Sequence, residues 1–178
     1  MALRNIITLG DQTLRKTSRP VTEFNDRIHT LIDDMRETLV EANGLGLAAP
    51  QVGVLRRVVI IVNNDGEMVE LVNPVITAQS QEKVGAYEGC LSVPDRRGWV
   101  ERSRKVFVNA QDRNGEPFTL ELEDMAARAV CHEVDHLNGT IFVDLAEELY
   151  TEEELDELLH SAEDEDTEDE KEEDTEDK

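Results

Sequence analysis

Cysteine is nearly absent from this chain, with two residues among 178. That excludes a disulfide framework, and in a reducing compartment either thiol serves better as a ligand or nucleophile than as a cross-link. Long apolar runs are missing as well. None approaches the roughly 20 residues needed to span a bilayer, and Met1 to Gly10 lacks the charged, apolar and small-residue regions of a signal peptide. A soluble protein of a reducing cytoplasm, with no membrane partner, is therefore expected. Basic residues are scarce: 18 Lys and Arg face 41 Asp and Glu, for a formal charge of −23. An extended phosphate-binding footprint needs clustered cations, so direct nucleic-acid binding by the domain is not expected.

The apolar share, 39%, is low for a globular chain, but the shortfall sits mostly at one end. Glu163 to Lys178 contains twelve acids, two lysines and no apolar side chain. Such a segment cannot offset its ordering entropy. The expected organisation is one catalytic domain over residues 1–160 and a disordered acidic tail over 161–178. The tail would keep the protein soluble or meet a basic partner.

Within the domain, Ile28, Ile32, Met35 and Leu39 mark one face of a helix from Asn25 to Ala42, ended by Asn43-Gly44. The segment Gly44 to Gly53 is rich in small residues and carries Pro50, which argues against a regular strand. Val58–Val62 reads as a buried strand. Met68–Val72 and Val75–Ala78 read as two more, separated by Asn73-Pro74. Residues 104–111 and 116–122 form a hairpin, for which Asn114-Gly115 suits a type I′ turn. A second helix, Asp124 to Leu137, stops at Asn138-Gly139 and offers a broad apolar face that includes Met125, Ala126 and Ala129. A third begins at Thr151, where Thr151 and Glu154 have capping-box spacing. The fold class is α+β: antiparallel or mixed sheets around a buried helix, with one long N-terminal helix and one C-terminal helix.

The second helix carries His132-Glu133-Val134-Asp135-His136, an H-E-x-x-H pattern. Its two imidazoles lie four residues apart, on one helix face, and can share a metal. Glu133 stands beside the first ligand, within reach of a water whose pKa a divalent cation lowers to about 7. His29 and His160 have no such neighbours and are expected to be solvated. Two histidines leave the site open. A metzincin-type third histidine is excluded, because position 142 is Phe. A downstream Glu remains available, since acids are abundant after Asp144. The sharper candidate is Cys90 in Glu88-Gly89-Cys90-Leu91-Ser92, whose thiolate suits zinc or ferrous iron. Cys131 is expected to pack as an apolar side chain.

Three segments thus stand in order: Gly44-Leu45-Gly46-Leu47-Ala48-Ala49-Pro50-Gln51, Glu88-Gly89-Cys90-Leu91-Ser92 and His132-Glu133-Val134-Asp135-His136. Together they resemble the signature motifs of peptide deformylase, and the likeness runs from about Ile6 to Asp144. The resemblance implies hydrolytic removal of the formyl group from the N-terminal formylmethionine of nascent polypeptides, with ribosome proximity and a bacterial or organellar setting. It implies ferrous iron as the metal, with zinc, nickel or cobalt as substitutes, although a thiolate and two imidazoles do not themselves choose. It makes Cys90, His132 and His136 the metal ligands and Glu133 the general base. It makes the Gln51 amide and the Leu91 backbone N–H donors to the tetrahedral oxyanion. It places substrate contacts at Gly44, Leu45, Gly46, Glu88, Met125 and Ala129, near Arg128, with Glu88 also suited to orienting a ligand or the Gly-rich loop. Gly44 and Gly46 would let a peptide approach the backbone and pair with it strand-like.

The rival readings are an H-E-x-x-H peptidase or another amidase, and a metal-binding protein without turnover. One departure from the family stands out. A strongly acidic C-terminus should be repelled by ribosomal RNA, which argues against a ribosome contact made by that end.

Overall fold

The computed structural model describes residues 2–161. The acidic tail expected from residue 161 onward therefore lies almost wholly outside the described residues. Among the described residues, eight strands form two antiparallel sheets, packed with three α-helices. The larger has strand order β1 (Gly46–Ala48), β2 (Val58–Val62), β3 (Met68–Gln79), β6 (Lys105–Gln111), β7 (Pro117–Glu123). The smaller has order β4 (Lys83–Cys90), β5 (Val93–Ser103), β8 (Leu149–Tyr150). The class is the expected α+β.

Helix α1 spans Asp26–Glu41, its first N–H groups capped by the Asn25 side chain. Helix α2 spans Asp124–Leu137, and α3 covers residues 152–161. At the start of α3, Glu154 N–H donates to Thr151 Oγ1 at 3.1 Å and Thr151 N–H to Glu154 Oε2 at 2.7 Å. The period-two alternation of β2 divides the core. Val59 and Ile61 face α2 in one apolar cluster. Val58 and Ile60 face α1, with Ile32, Met35 and Leu39, in another. A third cluster under the smaller sheet joins Cys90, Val93 and Val100 to Leu14, Ile141 and Phe142. Helix α2 lies between these layers, in contact with β1, β2, β5 and β7. It is buried because its face is broad, not a stripe.

Four expectations need correction. Gly46–Ala48 does form a short strand, because the exposed edge of β2 offers it a ladder against Val59–Ile61. Long-range pairing here overrides local propensity. Residues 68–78 form one strand and not two. Asn73 adopts φ 51° in a bulge between Val72 and Val75, which accommodates Pro74 without ending the strand. The Asn114-Gly115 connection is a five-residue loop, 112–116, in which only Gly115 has positive φ. Asp112 Oδ1 accepts from Asn114 and Glu116 N–H within it, so the turn is not type I′. Finally, β4 and β5 have no counterpart in the sequence reading, since charged residues and glycines obscure their alternation.

Candidate metal centre and catalytic cleft

Two separate parts of the fold meet at Cys90. It ends β4, the free edge of the smaller sheet, and is followed by a two-residue turn at Leu91-Ser92. Helix α2 presents His132 and His136 to the same place, one turn apart. The donor atoms of Cys90, His132 and His136 lie within 4.8 Å of one another, and all three residues are buried. Cys90 Sγ stands 3.2 Å from His136 Nε2. Among the described residues no carboxylate downstream of Asp144 joins this group. Asp144 itself pairs with Arg15.

Neighbouring groups orient His132 and Gln51 at this point. His132 Nδ1 donates to Glu88 Oε2 at 3.0 Å, which directs Nε2 inward, and Phe142 stacks on its ring. Glu88 is locked in turn by Arg102, at 2.9 and 3.0 Å, and by Arg128 at 2.7 Å. Arg102 also reaches Asp135 at 2.6 Å. Arg128 donates to the carbonyls of Val100 and Val84, so it braces the site from below and forms no apolar wall. Gln51 sits in a 3-10 turn, Ala49–Val52. Its Oε1 accepts from Ala48 N–H at 2.8 Å, fixing the amide. Its Nε2 donates to Ser92 Oγ at 3.2 Å and approaches Cys90 Sγ at 3.5 Å.

Electrostatics suit a cation at the point where these donors converge. Burial lowers His136 to about 3, leaving a neutral imidazole with a free lone pair. At His132 burial opposes protonation, but contacts with Cys90 and Glu88 outweigh it and lift the value to about 10. That nitrogen attracts positive charge, which a divalent metal supplies in place of a proton. Burial pushes Glu133 up to about 7, matched to a base that works near neutrality. Glu133 Oε2 and His136 Nδ1 are buried without a hydrogen-bond partner among the described residues. A buried carboxylate oxygen with no donor is costly unless something else satisfies it. The donor set and the orphaned oxygen fit a bound metal and its water.

The centre opens onto a cleft of about 590 Å³. Gly44, Leu45, Gly46 and Gln51 line one side, Glu88, Cys90 and Leu91 another, and Met125, Ala129, His132 and Glu133 the floor. The three sequence segments are thus brought together around one concavity. Leu45 and Met125 are 51% and 56% exposed, and Met125 belongs to the cleft and not to the buried face of α2. Gly46 has a second reason to be glycine: a Cβ there would fall 2.5 Å from Glu133 Oε1.

The sequence reading did not single out Ser92, Arg97, Arg102 or Glu152. Ser92 stood inside a quoted motif, but the others carry no local signal. Arg97 and Glu152 pair across the mouth of the cleft. His29 is half-buried and bonds the Arg113 carbonyl at 2.8 Å, contrary to expectation, whereas His160 is exposed. Cys131 is buried in the core and its thiol is raised to about 11 by burial.

Residues 3–152 match the polypeptide deformylase family. A peptide deformylase of Caldicellulosiruptor bescii is 54% identical over 155 residues, which is 87% of this chain and 92% of that protein. Peptide deformylase 1 of Clostridium acetobutylicum is 52% identical over 81% of this chain and 95% of its own. The crystal structure of the Thermotoga maritima peptide deformylase superposes with a TM-score of 0.79 at 40% identity, covering 83% of this chain and all of that one (100%). With this agreement over nearly all the described residues, and the three motifs gathered on one cleft, the chain belongs to the polypeptide deformylase family.

Proposed function

We propose that Cys90, His132 and His136 hold the metal of this enzyme and that Glu133 is its general base. As a polypeptide deformylase, the enzyme removes the N-terminal formyl group from newly made polypeptides, with release of formate. The observation that carries the residue assignment is the convergence of three buried donor atoms within 4.8 Å, beside a carboxylate with an oxygen left over. When bound, a divalent metal supplies Lewis acidity toward a water molecule and the formyl oxygen. Ferrous iron is the proposed ion, with zinc, nickel or cobalt as substitutes, because one thiolate and two imidazoles accept each of them.

Glu133 takes the proton of the attacking water and returns it to the departing amine. Gln51 Nε2 and the Leu91 N–H donate to the oxygen on which negative charge develops. In support, the Gln51 amide is already oriented by Ala48 and its nitrogen points at the metal centre. Glu88 positions His132 through Nδ1. The substrate backbone lies between β1 and β4, each a sheet edge with one side free to pair. Leu45, Met125 and Ala129 receive the methionine side chain, which accounts for two large apolar residues left exposed at the cleft. The catalytic unit is a single domain over residues 1–160. No described helix is long and apolar enough to cross a membrane, in keeping with work in the cytoplasm beside the ribosome.

The test is formate release from formyl-Met-Ala-Ser by protein prepared without oxygen, with metal measured on the same sample. Release should track bound metal. Glu133→Gln should keep the metal and lose about 10²–10⁴-fold in turnover, the usual worth of a general base. Full turnover by that variant would refute the role of Glu133.

A further inference from the structure

The N-terminal half of the molecule holds a second concavity, which shares no lining residue with the catalytic cleft. It has a volume of about 380 Å³, with Arg4, Arg19, Arg27 and Arg56 around it and Ile28 and Leu31 in its wall. Acids outnumber bases 41 to 18 in this chain, so four arginines on one pocket run against the composition. Of the nine arginines elsewhere, seven are taken up by carboxylates, Arg15, Arg36, Arg97, Arg102, Arg104, Arg113 and Arg128, and among the described residues Arg57 and Arg96 are not. Here only Arg4 is, by Asp34 at 2.9 Å. Among the described residues, Arg19, Arg27 and Arg56 take part in no ion pair. Glu23 lines the adjoining depression with Arg27 and Arg56, and its carboxylate accepts from Asn25.

A second observation concerns the backbone. Arg19 and Arg56 are partners in an isolated parallel β-bridge, fixed by Arg57 N–H to the Arg19 carbonyl at 3.0 Å. Like charges on facing strand positions repel, yet the chain holds these two side by side at a pocket. An anion between them converts that repulsion into attraction. Helix α1, 16 residues long, supplies Arg27, Ile28 and Leu31 to the same pocket from its N-terminal turns.

We propose that this pocket binds a small phosphate monoester. Guanidinium forks match the terminal oxygens of a phosphate two at a time. The three arginines that line this pocket without a carboxylate partner suit its three oxygens better than the two of a carboxylate. Of these, Arg56 also donates from Nη1 to the Leu55 carbonyl at 3.3 Å. The apolar wall at Ile28 and Leu31 gives the organic body of the ligand a surface to rest on. The volume falls within the range of small-molecule sites. Four arginines around one depression are not the extended stripe of cations that tracks a nucleic-acid backbone.

The test is calorimetric titration of the metal-loaded full-length enzyme, in phosphate-free buffer of low ionic strength, with inorganic phosphate and with AMP. AMP should bind saturably at one site and more tightly than inorganic phosphate. Arg19→Gln/Arg56→Gln should weaken AMP by at least about tenfold. Lys16→Gln/Lys83→Gln, which removes the same charge away from the pocket, should leave binding intact. Arg56→Lys keeps the charge but loses the fork, and should weaken AMP several-fold; it decides the matter if the double arginine variant does not unfold cooperatively. Absence of saturable binding, or equal binding by the arginine and lysine variants, overturns the proposal. So does binding of a ten-nucleotide RNA with no response to AMP or phosphate, which would make this surface a reader of polyanions.

Discussion

A methyl group at Gly46 would lie 2.5 Å from Glu133 Oε1 and 2.8 Å from its Cγ. Nothing flexible lies between them, so Gly46→Ala must displace the carboxylate or the strand that carries the glycine. The proposed metal ligands are untouched by that change. Turnover should fall about 10–100-fold, the scale expected from misplacing a reacting group by an ångström, while metal content stays at the wild-type level. Formate release and metal analysis on one preparation check this, and undiminished turnover would show that the base tolerates displacement. The same scale explains what was legible in the sequence. His132, Glu133 and His136 are spaced by helix geometry alone. Glu88 was expected as a positioning or substrate residue, but its clamp by Arg102 and Arg128 was not expected. Those arginines come from other elements, and no local pattern links them.

Among the elements, the bulge in β3 has the most specific requirement. Asn73 holds φ 51° and its side chain accepts from Val21 N–H and donates to the Val21 carbonyl and Gln111. Asn73→Ala loses all three bonds and keeps a backbone that alanine disfavours. A destabilisation of about 2–3 kcal/mol is expected, to be read as a lower urea midpoint at unchanged slope. The N-terminal segment is tied to α1 by Asp34, which accepts from Ala2 N–H at 2.7 Å and from Arg4. Burial raises the Asp34 carboxyl, but these partners outweigh it and hold the value below the ordinary 3.8. A depressed carboxyl stabilises fully above its unfolded value and loses that contribution as pH falls through the folded one. Amide protection of residues 2–7 should therefore be constant from pH 6 to about 4.5 and decline below it. In Asp34→Asn it should be low and flat over the whole range. A parallel decline in both proteins would sever the link to Asp34.

In the whole molecule, the proposed metal adds a further tie between parts already joined through Glu88, Arg102 and Arg128. Cys90 belongs to the smaller sheet, whereas His132 and His136 ride on a helix packed against the larger one. A ligand held only by the folded state adds about 4 kcal/mol when present at a thousand times its Kd. For a chain of this length chelation should then lower Tm by about 10 °C, restored by adding metal back. An unchanged Tm after complete metal loss would mean that the centre is not coupled to the fold.

The sequence by itself determined the periodic elements and the class of chemistry. Helices α1 and α2, strand β2 and the 105–123 hairpin follow from apolar spacing. The grouping of His132, Glu133 and His136 follows from fixed offsets on a helix, whereas Cys90 as third ligand is what the family resemblance implies. Only the tertiary structure decided the rest. It set β1 on the edge of β2, folded β4 against β5 despite their polar composition, and seated Met125 in the cleft. It also gathered four scattered arginines on one pocket of an acidic protein. Local pattern records which way a side chain faces relative to its neighbours in the chain. It does not record which distant surface that side chain will meet, because the meeting is fixed by strand pairing and packing across the whole fold.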